Sequence, residues 1–140
     1  MIRGPLTHPE LLAALAESGH GTGVLIADGN FPFRTGTNPA ARHVFLNLRR
    51  GLPTVTDVLD VLVATVPIEA AEVMLPDGGP EPEVFAAFRT ALPGIDLKAH
   101  ARQAFYERAR RPDVGVVVAT GEARVFANLL LTIGVVPPSP

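Results

Sequence analysis

Apolar residues fall along this chain in two alternating patterns. Short unbroken runs suit buried strands, and runs spaced by three and four suit one face of a helix. Thr7-His8-Pro9-Glu10 opens a first helix with a capping hydroxyl, then a proline and an acid in the first turn. Leu11, Leu12, Ala14 and Leu15 follow at helical spacing, and Gly19 stops it. Gly23–Ala27 reads as a buried strand ending in the turn Asp28-Gly29-Asn30. Residues 31–42 carry Pro, Gly, Asn and Thr without periodicity and read as a loop long enough to be functional. Residues 43–48 are a strand candidate. Thr54 caps a helix running to Val63, with Val55, Val58, Leu59 and Leu62 on one face. Ile68–Leu75 reads as a strand despite two glutamates, and residues 76–80 as a turn. A helix over 81–92 turns Val84, Phe85 and Phe88 inward, and residues 96–110 read as another, its first part open to an extended reading. Val114–Ala119 is the clearest buried strand; the turn Thr120-Gly121-Glu122 and a last strand over 129–136 follow. This alternation predicts an α/β fold, a single-domain three-layer α/β/α arrangement over residues 1–140 with a largely parallel sheet.

Composition changes the picture in three ways. With 47% of 140 residues hydrophobic and 19% charged, the chain has more apolar material than a small domain needs, which predicts burial against other subunits. Twelve basic against fourteen acidic side chains leave a net charge of −2, so no basic field exists for a nucleic-acid backbone. The absence of Cys removes disulfides, thiolate nucleophiles and zinc–thiolate sites. The longest apolar stretches fall far short of a membrane span, and Met1-Ile2-Arg3-Gly4-Pro5 lacks the apolar core of a signal peptide. The expectation is a cytoplasmic homo-oligomer with no membrane or nucleic-acid partner.

Candidate chemistry is sparse. Gly19-His20-Gly21-Thr22-Gly23 precedes a strand, whereas a dinucleotide fingerprint follows one and opens a helix. Its glycines leave the His20 imidazole accessible, which fits a proton-transfer group or an ordinary loop histidine near a helix end. Asp28 ends a buried strand, where α/β sheets gather ligands, although an Asx turn explains it equally well. His20 and Asp28 lie at opposite ends of one strand, roughly 20–25 Å apart at about 3.3 Å per residue. They meet within one chain only if the glycine-rich loop folds back; otherwise the site is assembled across subunits. Arg102 and Tyr106 share a helix face as ligand contacts or surface residues, and Asn128 sits among apolar neighbours as a structural bracket or a ligand partner. His8, His43 and His100 stand alone without metal spacing, and no Ser-centred nucleophile elbow occurs.

Three blocks carry a resemblance. They are Pro9-Glu10-Leu11-Leu12 through Gly19-His20-Gly21 to Asp28-Gly29-Asn30-Phe31-Pro32, then Ala104-Phe105-Tyr106-Glu107-Arg108-Ala109, and Thr120-Gly121-Glu122 through Asn128 to Gly134-Val135. In this order they resemble the D-ribose pyranase and L-fucose mutarotase family, the second block tilting toward the fucose branch, while residues 34–95 match loosely. The resemblance implies interconversion of anomers or ring forms of a free monosaccharide without metal or cofactor, in a decamer with sites at subunit contacts. It implies His20 as acid and base, with Asp28, Arg102 and Asn128 on the sugar; Tyr106 and Asn30 are further candidates. Two positions depart from the pattern. Phe126 stands where the family has the tyrosine of a Tyr-x-Asn element, and Asn30 where the fucose branch has a histidine. The first removes a hydroxyl, and a lost polar partner in a sugar site costs about 0.5–1.5 kcal/mol per neutral hydrogen bond.

Overall fold

A computed structural model describes residues 1–140. Six strands form one sheet in the order β2-β5-β1-β6-β3-β4. These are β1 (Gly23–Ala27), β2 (Arg42–Phe45), β3 (Ile68–Leu75), β4 (Leu97–Ala101), β5 (Val114–Ala119) and β6 (Leu129–Ile133). The pairs β1–β5, β2–β5 and β3–β4 are parallel, and β6 runs antiparallel between β1 and β3. The sheet is therefore mostly parallel, with one reversed strand at its centre.

Residues of β1 alternate between two cores, which explains why the strand reads as an unbroken apolar run. Val24 and Ile26 join the larger core with helices α1 (Pro9–Ala16), α2 (Val55–Val63) and α3 (Val84–Ala91), through Leu11, Leu59, Phe85 and Phe88 among others. Leu25 and Ala27 join the smaller core with α4 (Arg102–Ala109), through Phe105 and Ala109. Three helices thus cover one face and one helix the other, completing the expected α/β/α layers. Each large apolar side chain so buried contributes about 1.5–3 kcal/mol relative to exposure.

Four local expectations are corrected. The imidazole of His8, not the Thr7 hydroxyl, caps α1: its Nδ1 accepts the Leu11 N–H at 3.3 Å. The second strand spans Arg42–Phe45 rather than 43–48. The third helix begins at Val84, and the last strand ends at Ile133 rather than 136, with Val135 and Val136 exposed. Within residues 96–110 the extended reading of the first part is the one observed: it pairs with β3 as β4, and the expected helix follows from Arg102. By contrast Thr54 caps α2 as expected, in a reciprocal capping box with Asp57. The long loop after β1 is pinned: the Asn38 amide donates to the Val114 carbonyl at 3.0 Å, and its N–H to that of Ala109 at 3.1 Å.

Candidate functional site

The turn after β1 places Asp28 at the carboxyl edge of the sheet. Because β6 is antiparallel, its first residues lie at that same edge, with Ile26 opposite Leu129. Asn128 therefore meets Asp28 across a hundred residues of chain. Its Oδ1 accepts the Asp28 N–H at 2.8 Å, and its Nδ2 donates to Asp28 Oδ2 at 3.1 Å. Asp28 Oδ1 accepts the Asn30 N–H at 3.0 Å, so the Asx turn is real. Asp28 is 3% exposed and has no cationic partner. Burial pushes its carboxyl above the ordinary aspartate range, against the lowering pull of N–H groups from Asn30, Ala127 and Phe31 and of the Asn128 amide.

Around this carboxylate lies a cavity of about 180 Å³ lined by Asp28, Asn30, Arg102, Tyr106, Phe126 and Asn128, with Phe31, Met74 and Val125 completing its walls. This is small beside the 300–1,000 Å³ common for drug-sized ligands and suits a small molecule. The Arg102 guanidinium sits 5.9 Å above the Tyr106 ring, and Tyr106 packs on Phe31 at 5.4 Å between centroids. Phe126 holds φ at +57°, a left-handed conformation that costs a non-glycine residue about 1–2 kcal/mol. The cavity offers an anionic acceptor, a guanidinium and an amide beside aromatic faces, a set matched to hydroxyls and C–H surfaces. A larger cavity of about 640 Å³ lies across α4, lined by charged residues including Glu72, Lys98 and Arg108. It contains none of the candidate residues.

The structure brings six of the seven candidates together and leaves His20 apart. His20 lies before β1, and its Nε2 stands 3.0 Å from both carboxylate oxygens of Glu69 on β3. The glycine-rich loop does not fold back: Gly21 N–H is held by the Ile133 carbonyl at 2.9 Å. The imidazole, 58% exposed, takes no partner in this chain at Nδ1. With Nε2–H donated to Glu69, Nδ1 carries the free lone pair. Glu69 was not foreseen, nor was the bond from His100 Nε2 to Glu72 Oε1 at 2.8 Å. The signal was present, since both are the acids interrupting an apolar strand. His43 also has a structural role, bonded to Thr37 and the Ala41 carbonyl.

The model of the RbsD / FucU transport protein family matches residues 1–136. The chain belongs to this family. A D-ribose pyranase of Streptomyces avermitilis is 33% identical over 135 residues, covering 96% of this chain and 98% of that protein. A fucose mutarotase of Danio rerio is also 33% identical, over 93% of this chain and 90% of its own length. Overall identity thus does not separate the ribose and fucose branches of the RbsD / FucU family. A fucose mutarotase of Streptococcus pneumoniae, solved in complex with L-fucose, superposes with a TM-score of 0.83 at 27% identity, over 98% of this chain and 100% of that one. Bacillus subtilis RbsD complexed with D-ribose shares the fold, with a TM-score of 0.84 at 23% identity, covering 98% and 100% of the two chains. No helix in this family member is long and apolar enough to cross a membrane.

Proposed function

We propose that this protein is a cytoplasmic, cofactor-independent monosaccharide mutarotase acting on L-fucose or a related free sugar. The observation that carries the reading is the cavity around Asp28, a buried carboxylate in no ion pair, lined also by the Arg102 side chain and by aromatic and amide groups. Named relatives of two sugar specificities support it. In ring opening the anomeric hydroxyl loses a proton, the ring oxygen gains one, and the bond between C1 and that oxygen breaks as the C1 carbonyl forms. Closure on the other face reverses these steps and inverts the anomer. Asp28, Arg102 and Asn128 hold the sugar hydroxyls, with Asn30 at the rim and Tyr106 and Phe126 against its C–H faces. His20 exchanges the proton through Nδ1, held in orientation by Glu69. Since His20 lies at the far end of β1 from Asp28, the histidine of a neighbouring copy completes each site, within a homo-oligomer for which the family resemblance implies a decamer. General acid–base catalysis contributes about 10²–10⁴-fold, enough for a reaction that already proceeds in water.

Saturation-transfer proton NMR on L-fucose, D-ribose, D-galactose and D-glucose tests the reading. Exchange between anomer or ring-form signals should accelerate with wild type and fall about 10²–10⁴-fold in His20→Ala. No acceleration with any of these sugars at high protein concentration overturns it. Phe126 favours a second reading, a sugar-binding relative without turnover, because position 126 of the cavity offers no hydroxyl to relay a proton. Saturable sugar binding by a wild type that does not accelerate exchange would establish that alternative.

A further inference from the structure

Beside the sugar cavity, and sharing Asn30 with it, lies a second one of about 460 Å³ whose lining is almost wholly polar. It is flanked by Asn47, Arg49 and Arg50 on one side and by the Thr120–Glu122 turn on the other. Its one carboxylate, Glu122, is already committed. It accepts the Val55 N–H at 3.1 Å and the Arg124 side chain at 2.8 and 3.0 Å. Arg49 and Arg50 form no ion pair, and Arg49 spends one donor on the Arg50 carbonyl at 3.0 Å. Two adjacent, exposed arginines thus line a polar cavity with no free counter-charge.

The turn that presents them is rigidly placed. Arg49 and Leu52 exchange main-chain hydrogen bonds at 3.0 and 3.3 Å, and Gly51 closes the turn at φ +82°. Gly51 N–H donates to the Gly121 carbonyl, and Gly121 N–H to that of Pro53 at 3.0 Å. A Cβ on Gly121 would stand 2.1 Å from the Arg49 carbonyl oxygen, so only glycine permits this approach. Guanidinium donors on a fixed main-chain turn suit planar carboxylates and phosphates, to which they can bond in bidentate fashion.

We infer that the Arg49-Arg50 turn is an anion-recognising subsite, so that the preferred substrate is a free monosaccharide carrying a carboxylate or phosphate. The inference rests on the mutarotase reading and deepens it. With its ring on Asp28, a sugar directs its charged substituent past Asn30 into the arginine-lined cavity.

The test compares exchange rates by saturation-transfer NMR for D-galacturonate and D-glucuronate, for D-glucose 6-phosphate and D-ribose 5-phosphate, and for neutral L-fucose, D-galactose, D-glucose and D-ribose. Wild type and the Arg49→Gln/Arg50→Gln variant are measured at low and high salt, with folding of the variant checked by thermal unfolding. An anionic sugar should exceed its neutral counterpart by about tenfold or more, as charge-assisted hydrogen bonds allow. The double variant and high salt should both erase that advantage while exchange of neutral sugars persists. The uronate and phosphate arms decide which anion is preferred. Acceleration of neutral sugars with no anionic preference, or a preference surviving in the folded double variant, overturns the inference and leaves the mutarotase reading intact. Acceleration of neither class overturns both.

Discussion

Asp28 and Glu122 are both 3% exposed and belong to adjoining turns, joined by the bond from Gly29 N–H to the Glu122 carbonyl at 2.9 Å. Their electrostatic situations are opposite. Burial also pushes Glu122 up, but the Arg124 side chain and the N–H groups of Arg124 and Val55 outweigh it and hold the carboxyl below its ordinary range. Asp28 has amide partners but no cation, and burial prevails. Burial alone therefore does not distinguish a carboxylate neutralised by its neighbours from one that is not. Glu122 is neutralised by its neighbours and ties α2 to the β5–β6 turn. Asp28 retains an electrostatic demand that hydroxyl donors of a ligand can meet.

Exchanging the two carboxylates for amides gives the largest expected separation. Asp28→Asn should slow sugar exchange by about 10- to 150-fold, the worth of a hydrogen bond to a charged group, while changing stability by less than about 1 kcal/mol. Glu122→Gln should lose about 1.5–3 kcal/mol of stability in urea titrations at fixed protein concentration, with exchange retained by the folded fraction. Equal stability losses in the two variants would break the contrast.

A pH series sharpens it next. Asp28 holds its proton more tightly when folded, so its contribution is complete below the ordinary value of 3.8 and is lost as pH rises through the folded value. For Glu122 the sign reverses: its contribution is present above 4.5 and lost as pH falls through the lowered folded value. Urea midpoints between about pH 3 and 7 should show the wild-type advantage over Glu122→Gln growing with pH and that over Asp28→Asn shrinking. Parallel curves would contradict the opposite shifts.

Smaller effects test the surroundings of Asp28. Phe126→Tyr should strengthen sugar binding or exchange by about 2- to 12-fold, one neutral hydrogen bond, with stability unchanged. A variant indistinguishable from wild type would mean that position 126 does not reach the sugar. Glu69→Gln should slow exchange by no more than about fivefold, since exposed ion pairs are worth about 0.2–1 kcal/mol. A loss as large as that of His20→Ala would instead give Glu69 a proton-transfer role of its own.

The parts of the fold legible in the sequence are those where burial leaves a regular imprint. β1, β3 and β5 are seen at their observed limits, and α2 is marked by its apolar face and the Thr54 cap. The boundary between β4 and α4 escapes because neither leaves a clear period. β4 is an edge strand with Lys98 and Ala99 exposed, and α4 buries only Phe105 and Ala109. Of the site, the strand end at Asp28, the helical spacing of Arg102 and Tyr106 and the apolar surroundings of Asn128 are readable as candidates beside structural alternatives, and the family resemblance supplied Asn30 and Phe126. The pairing of Asp28 with Asn128 is not readable from spacing, because it depends on β6 reversing direction at the centre of the sheet.

That reversed central strand also dictates when the pocket can exist. β6 is the last strand in the chain, yet it slots between β1 and β3 rather than adding to an edge. Until it emerges from the ribosome, the growing polypeptide has an open cleft with two unpaired strand edges, and the partner of Asp28 has not been made. The cavity around Asp28 therefore cannot form before Asn128 and β6 have been synthesised, and a product terminated ahead of them lacks it while offering sticky edges to its neighbours.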